Sequence, residues 1–161
     1  MILPVYLYGH PVLRKMAQPI TKEYPKLQEL IANMWETMYH SEGVGLAAPQ
    51  IGLPIRLFII DLDVLAEDEP QYEGYLHTFI NPEIIEESQE TTSMSEGCLS
   101  IPGINESVKR PAKVLVNYID ENGEEIQFKS KEDGTAVFET KLADGESVNL
   151  FIPDGYIVIA R

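Results

Sequence analysis

Two short stretches of this chain carry residue types suited to chemistry at a carbonyl group. Gly43-Val44-Gly45-Leu46-Ala47-Ala48-Pro49-Gln50 sets two glycines where a backbone can approach something closely, then small apolar residues, then an amide able to donate hydrogen bonds to an oxyanion. Read alone, the same stretch also fits a glycine-rich helix exit into a tight loop. Glu96-Gly97-Cys98-Leu99-Ser100 offers the chain's single cysteine beside a flexible glycine. A lone cysteine is either a soft ligand or nucleophile, or an inert side chain that packs as a small hydrophobe.

Elements to position these stretches can be read on either side of them. From Pro25 to His40 the apolar residues Leu27, Leu30, Ile31, Met34 and Met38 recur at helical spacing, with Pro25 suited to the first turn and Gly43 just past the end. That stripe should pack on a sheet. Ile55 to Leu62 is a dense apolar run and reads as a buried strand; Phe79 to Ile85 reads as a second, edge or bulged because of Pro82. Val114 to Ile119 and Glu124 to Phe128 flank Asn122-Gly123, the pattern of a hairpin with a tight two-residue turn. Glu67 to Gly74 is acidic and turn-rich, a surface loop.

Beyond Lys129, Gly134, Gly145, Pro153 and Gly155 cut the chain into pieces too short for a typical helix. Thr135 to Leu142 and Ser147 to Ile152 alternate, and Tyr156 to Ala160 is apolar throughout, so the tail reads as a β-meander.

Composition narrows the partners. The 161 residues suit one domain, and 26 acidic against 12 basic side chains give a net charge of -14. Such a surface repels phosphate backbones and anionic lipid, which argues against nucleic acid and membrane surfaces. No run approaches the roughly 18 apolar residues of a spanning helix, and Pro4 and Pro11 interrupt a start that has no basic residue before its hydrophobic run, unlike a signal peptide. One cysteine rules out an internal disulfide framework and suits a reducing cytoplasm, the expected location.

Together, in this order and about fifty residues apart, the two stretches resemble motifs one and two of the peptide deformylase family. The resemblance runs from Ile2 to Phe128 and includes Tyr8-Gly9-His10-Pro11-Val12-Leu13-Arg14, Asn81-Pro82-Glu83 and Tyr118-Ile119-Asp120-Glu121-Asn122-Gly123. It implies an α+β fold in which small antiparallel sheets wrap a central helix. It also implies removal of formyl from N-formylmethionine of new peptides, by a metal (Fe2+, Zn2+, Ni2+ or Co2+) on one cysteine and two histidines. By position, Cys98 would be the ligand, Gln50 and the N–H of Leu99 the oxyanion donors, and Gly45 the contact to the formyl group. Val44 and Gly97 would line a groove where peptide substrate adds as a strand.

One part of the pattern is missing. The third motif, a His-Glu-x-x-His helix carrying two ligands and the catalytic glutamate, has no counterpart, because Lys129 to Arg161 contains no histidine. The expectation is therefore a single domain over 1–161, family-like over 1–128 and divergent over 129–161, with one N-terminal helix and the central helix replaced by the meander. Phe138, Leu142, Leu150, Ile152 and Ile157 would then have to fill the hollow that helix leaves, unless an oligomer or partner covers it. Hydrolytic activity and a bound metal are not expected, whereas part of an N-formylmethionyl-peptide groove is. Two alternatives stand beside this: an active, metal-dependent enzyme drawing a ligand from His40 or a second chain, and an engineered or recombined chain without a biological task.

Overall fold

The computed structural model describes residues 1–129 and 140–141. Its one α-helix among these, α1 (Leu27–His40), buries Ile31, Met34, Thr37 and Met38. Leu27 and Leu30 are half-buried in the same cluster, so the helical stripe faces the core as its spacing requires. The start differs from expectation. Lys26 adopts a left-handed φ of 55° ahead of Leu27, which places Pro25 outside the helix rather than in its first turn.

A six-stranded antiparallel sheet lies against α1. Its strands are β1 (Gly45–Ala47), β2 (Leu57–Asp61), β3 (Leu76–Glu87), β6 (Val114–Ile119), β7 (Glu125–Lys129) and β8 (Thr140–Lys141), in that spatial order. β4 (Thr91–Cys98) and β5 (Ile101–Pro111) form a separate two-stranded sheet. The dense apolar run of β2 is explained by burial on both faces. Leu57 and Ile59 pack with Leu46, Ile80 and α1, while Phe58 and Ile60 join Ala47, Phe79, Val116 and Tyr118 on the opposite face. There Phe58 pairs across the ladder with Phe79, ring centroids 4.5 Å apart, and Phe79 meets Tyr118 at 4.3 Å.

Asn81-Pro82 is accommodated by a register shift between Ile80 and Glu83, so Pro82 marks a bulge in a central strand and not an edge. Asn81 pins that bulge, taking the Ile20 N–H at 2.6 Å and donating to the Ile20 carbonyl at 2.8 Å. The β6–β7 turn is also a correction. Only Gly123 has positive φ (79°), Gly123 N–H reaches the Asp120 carbonyl, and Asp120 N–H reaches the Glu124 carbonyl. The loop is thus three residues with glycine in the left-handed position, stapled by Asp120 Oδ1 accepting from Asn122 and Glu124 N–H at 2.9 Å each. The Glu67–Gly74 loop does lie outside the sheet, yet anchors itself through a short 3-10 turn whose Tyr72 is buried.

Of the expected C-terminal strands, Thr140–Lys141 pairs antiparallel with Gln127 and Ile126; the rest of the Thr135–Leu142 strand, Ser147–Ile152, Tyr156–Ala160 and the core-filling side chains assigned to them fall outside the described residues. No helix among the described residues is long and apolar enough to cross a membrane.

Two outcomes follow from this packing. Met34 is fully buried between α1 and the sheet, so Met34→Ala should lower unfolding free energy by about 2–5 kcal/mol in a urea titration. His77, on β3 against the Tyr75 ring at 4.2 Å, is pushed down to about 4 by burial, which outweighs the pull of Asp120 and Glu121. Between its ordinary 6.5 and 4 the unfolded chain therefore binds a proton that the folded chain does not, and stability falls as pH drops through that window. The urea midpoint should decline between pH 7 and pH 5 more steeply in the parent than in His77→Gln.

Candidate functional site

The first motif follows directly from the end of α1. Gly43 N–H returns to the Met38 carbonyl at 3.0 Å, with Glu42 in the left-handed region (φ 56°), and the chain then enters β1. The expected loop is therefore partly a strand. Val44 accepts from Asp61 N–H at 2.9 Å and Gly45 sits opposite Ile60. In an antiparallel ladder alternate residues bond the same neighbour, so Val44 and Leu46 face β2 while Gly45 turns its N–H and C=O to the sheet's open edge.

Ala48–Ile51 then forms one 3-10 turn, closed by Gly52 at a φ of 90°. Within it Gln50 is buried, 6% exposed. Its Oε1 accepts the Ala47 N–H at 2.9 Å, which turns its NH2 toward the second motif. There Nε2 donates to Ser100 Oγ at 3.1 Å and approaches Cys98 Sγ at 3.7 Å. Amide and thiol, distant in sequence, are neighbours.

The second motif closes the β4–β5 hairpin. A register shift between Gly97 and Cys98 precedes the turn at Leu99 and Ser100. Gly97 is opposite Asn105, whose Oδ1 would lie 2.8 Å from a Cβ at position 97. Gly43 is pressed likewise on Leu99, whose Cδ1 would lie 2.7 Å from a Cβ there. The two motifs thus touch at two places, Gly43 with Leu99 and Gln50 with Cys98 and Ser100. Glu96 is committed elsewhere, in a two-pronged pair with Arg110 (Nη2 to Oε2 at 2.6 Å) that lifts the guanidinium pKa above its ordinary value.

Between the motifs and the sheet lies a cavity of about 590 Å³. Val44, Gly45, Ala47 and Gln50 line it from the first motif, Gly97, Cys98 and Leu99 from the second, and Phe58 and Ile60 from β2. All six site residues expected from sequence therefore line this one cavity. Sequence reasoning missed Ser100 as the partner of the Gln50 amide, and Val5 and Leu7 as lining residues. For Ser100 the signal was its place at the end of the second motif.

None of the three histidines lines the cavity. His10 Nδ1 accepts the Val12 N–H at 3.3 Å, His40 is exposed at the end of α1, and His77 packs on Tyr75. Among the described residues no group of three or more His, Cys, Asp or Glu side chains is placed to hold a metal ion. Cys98 alone does not fit the two-imidazole, one-thiolate set that the resemblance implies.

Comparison with known proteins agrees with the motifs. Residues 2–142 match the model of the polypeptide deformylase family. The peptide deformylase of Christiangramia forsetii is 53% identical over 131 residues, 77% of this chain and 67% of the relative. That of Flavobacterium psychrophilum is 52% identical over 129 residues, 76% and 66% respectively, so the match spans about two-thirds of these relatives' length. Among solved structures, the Thermotoga maritima peptide deformylase superposes with a TM-score of 0.71 at 37% identity, covering 84% of this chain and 85% of that one. The Ehrlichia chaffeensis peptide deformylase in complex with actinonin gives 0.71 at 32%, covering 81% and 75%. The helix and antiparallel sheets match this fold, and with the family model over residues 2–142 and relatives at about 50% identity the chain belongs to the polypeptide deformylases.

Proposed function

We propose that this chain keeps an N-formylmethionyl-peptide groove and lacks hydrolytic activity. The observation that carries this reading is the donor set: Cys98 is the one family ligand at the cavity, and the chain's three histidines stand elsewhere. A complete four-ligand zinc site contributes on the order of 10–16 kcal/mol, so one ligand's crude share is about 3–4 kcal/mol, roughly millimolar affinity. At about 10 μM free metal, such a site is filled in about one chain per hundred. The sequence has no His-Glu-x-x-His helix to place a glutamate as the family's proton shuttle, and Glu96, beside Cys98 in the second motif, is paired with Arg110.

Peptide binding has separate support. The open edge of β1 offers Gly45 N–H and C=O to an extended chain, with Val44 and Gly97 beside it. Gln50 and the Leu99 N–H would hold the formyl oxygen, and Gly45 would contact the formyl group. The reading takes residues 1–161 as one domain, family-like over 1–128 and divergent over 129–161, acting in the cytoplasm, with a partner or second copy free to cover the core. Against it stands an active metal-dependent deformylase, favoured by about 50% identity to proteins of that name. Metal analysis and formate release decide between them. We expect far less than one equivalent of transition metal per chain and no formate from an N-formylmethionyl tripeptide, while calorimetry still detects binding of that peptide. One tightly held metal per chain with formate release, both lost in Cys98→Ala, would establish the active enzyme instead.

A further inference from the structure

The hairpin that carries Cys98 shares no ladder hydrogen bond with the sheet that carries the first motif. At its far end its two strands run on into β3 and β6, and Ser88 N–H to the Lys113 carbonyl and Ala112 N–H to the Glu90 carbonyl bridge that junction. Near Cys98, the side chain of Gln50 reaches it from the first motif. One further element also does so. The segment from Leu3 to Tyr8 donates Leu3 N–H to Thr37 Oγ1 on α1 at 2.9 Å, Tyr6 N–H to the Gln50 carbonyl at 2.7 Å and Tyr8 N–H to the Ser100 carbonyl at 2.8 Å.

Neighbouring residues of this segment divide the labour. Tyr6 and Tyr8 turn their N–H groups to the two motifs, and Val5 and Leu7, the residue before each, line the cavity. The Tyr6 ring fills the space over Gly52, where a Cβ would meet Tyr6 Cε2 at 2.7 Å, and lies 4.2 Å from the His10 ring. Gln50 and Ser100 are thus joined twice, through Nε2 and Oγ and through one backbone spanning both their carbonyls.

We propose that Leu3–Tyr8 is a positioning strap that sets the separation between the Gln50 amide and the Cys98–Ser100 turn, with Tyr8 acting as a positioning residue through its backbone N–H. This rests on the groove reading for what the cavity holds, but the strap itself can be tested without a ligand. Cys98 is the only cysteine, so an aromatic disulfide reagent reports on this turn alone.

Tyr8 is 74% exposed, so Tyr8→Ala removes little packing and keeps the N–H, whereas Tyr8→Pro deletes the donor. In folded protein, Tyr8→Pro should label at Cys98 about tenfold faster and bind an N-formylmethionyl tripeptide about tenfold more weakly, the scale of one lost hydrogen bond. Tyr8→Ala should stay within about twofold of the parent on both readouts, well below that one-bond scale. A merely structural role would lower the unfolding midpoint and leave the native labelling rate unchanged, and that result would overturn the proposal. Should Tyr8→Pro fail to fold, the parent chain decides. Below the unfolding transition, exchange of the Tyr6 and Tyr8 amides and labelling of Cys98 should rise with the same urea dependence, and divergent dependences refute the strap. A parent that binds no tripeptide removes the groove reading, while labelling still judges the strap.

Discussion

The site depends on which way one buried amide points. Gln50 has a donor end and an acceptor end, and the Ala47 N–H at its Oε1 leaves only the NH2 for the cavity. A flipped amide would set its NH2 against the Ala47 N–H and leave Ser100 Oγ and Cys98 Sγ facing an acceptor, so the local backbone selects the donor orientation. That Ala47 N–H is available because β1 is an edge strand whose odd positions face away from β2. The sheet's topology therefore reaches the chemistry through a single hydrogen bond.

The two faces of the sheet divide the work. Leu46, Leu57, Ile59 and Ile80 seal against α1, which fixes β1 and β2 as a rigid floor. Phe58, Ile60 and Ala47 face the other way, toward the aromatic contacts with Phe79 and Tyr118, and residues from both sets, Leu46 and Ile59 included, border the cavity. Because β2 is buried on both faces, displacing it costs contacts on each side, and the first motif is placed by the more rigid of the two sheets. The hairpin carrying Cys98 is the opposite case. Ile101 to Ser107 are all exposed, and near Cys98 its placement rests on Leu99 packed against the α1 cluster and on a few hydrogen bonds.

Legibility in the sequence follows the same division. α1, β2, the β6–β7 hairpin and the bulge at Pro82 were readable because burial on one or both faces leaves a periodic or continuous apolar record, or because proline limits what the backbone can do. β4 and β5 left no such record. Their residues, Thr91-Thr92-Ser93 and Ile104-Asn105-Glu106-Ser107 among them, are mainly polar and face solvent, so pairing with each other holds them rather than a core. The six expected site residues, which line one cavity, came from motif resemblance rather than periodicity, whereas the contacts that orient them had no such signal. A backbone N–H donating to a carbonyl, as Tyr8 does to Ser100, imposes almost no demand on side-chain type and so writes nothing in the sequence.

That distinction bears on how a groove and its chemistry come apart. The parts proposed to hold a peptide are backbone edges and glycines of 1–128, whose geometry is set by α1 and the six-stranded sheet. The parts the family uses to activate water lie in a later segment, where this chain has no histidine. Binding energy drawn from strand pairing stabilises a ground state and a transition state alike, so it does not depend on the metal and does not supply catalysis. In the proposed reading, replacing the third motif therefore removes the interaction that grows in the transition state and leaves the uniform one largely in place. The Gln50 amide, with the Leu99 N–H, would be common to both, since each donor could hold a formyl oxygen in the ground state and an oxyanion later. In that reading the amide's fixed orientation belongs to a pocket organised by its own hydrogen bonds, since Ala47 N–H and Ser100 Oγ hold the amide from both ends.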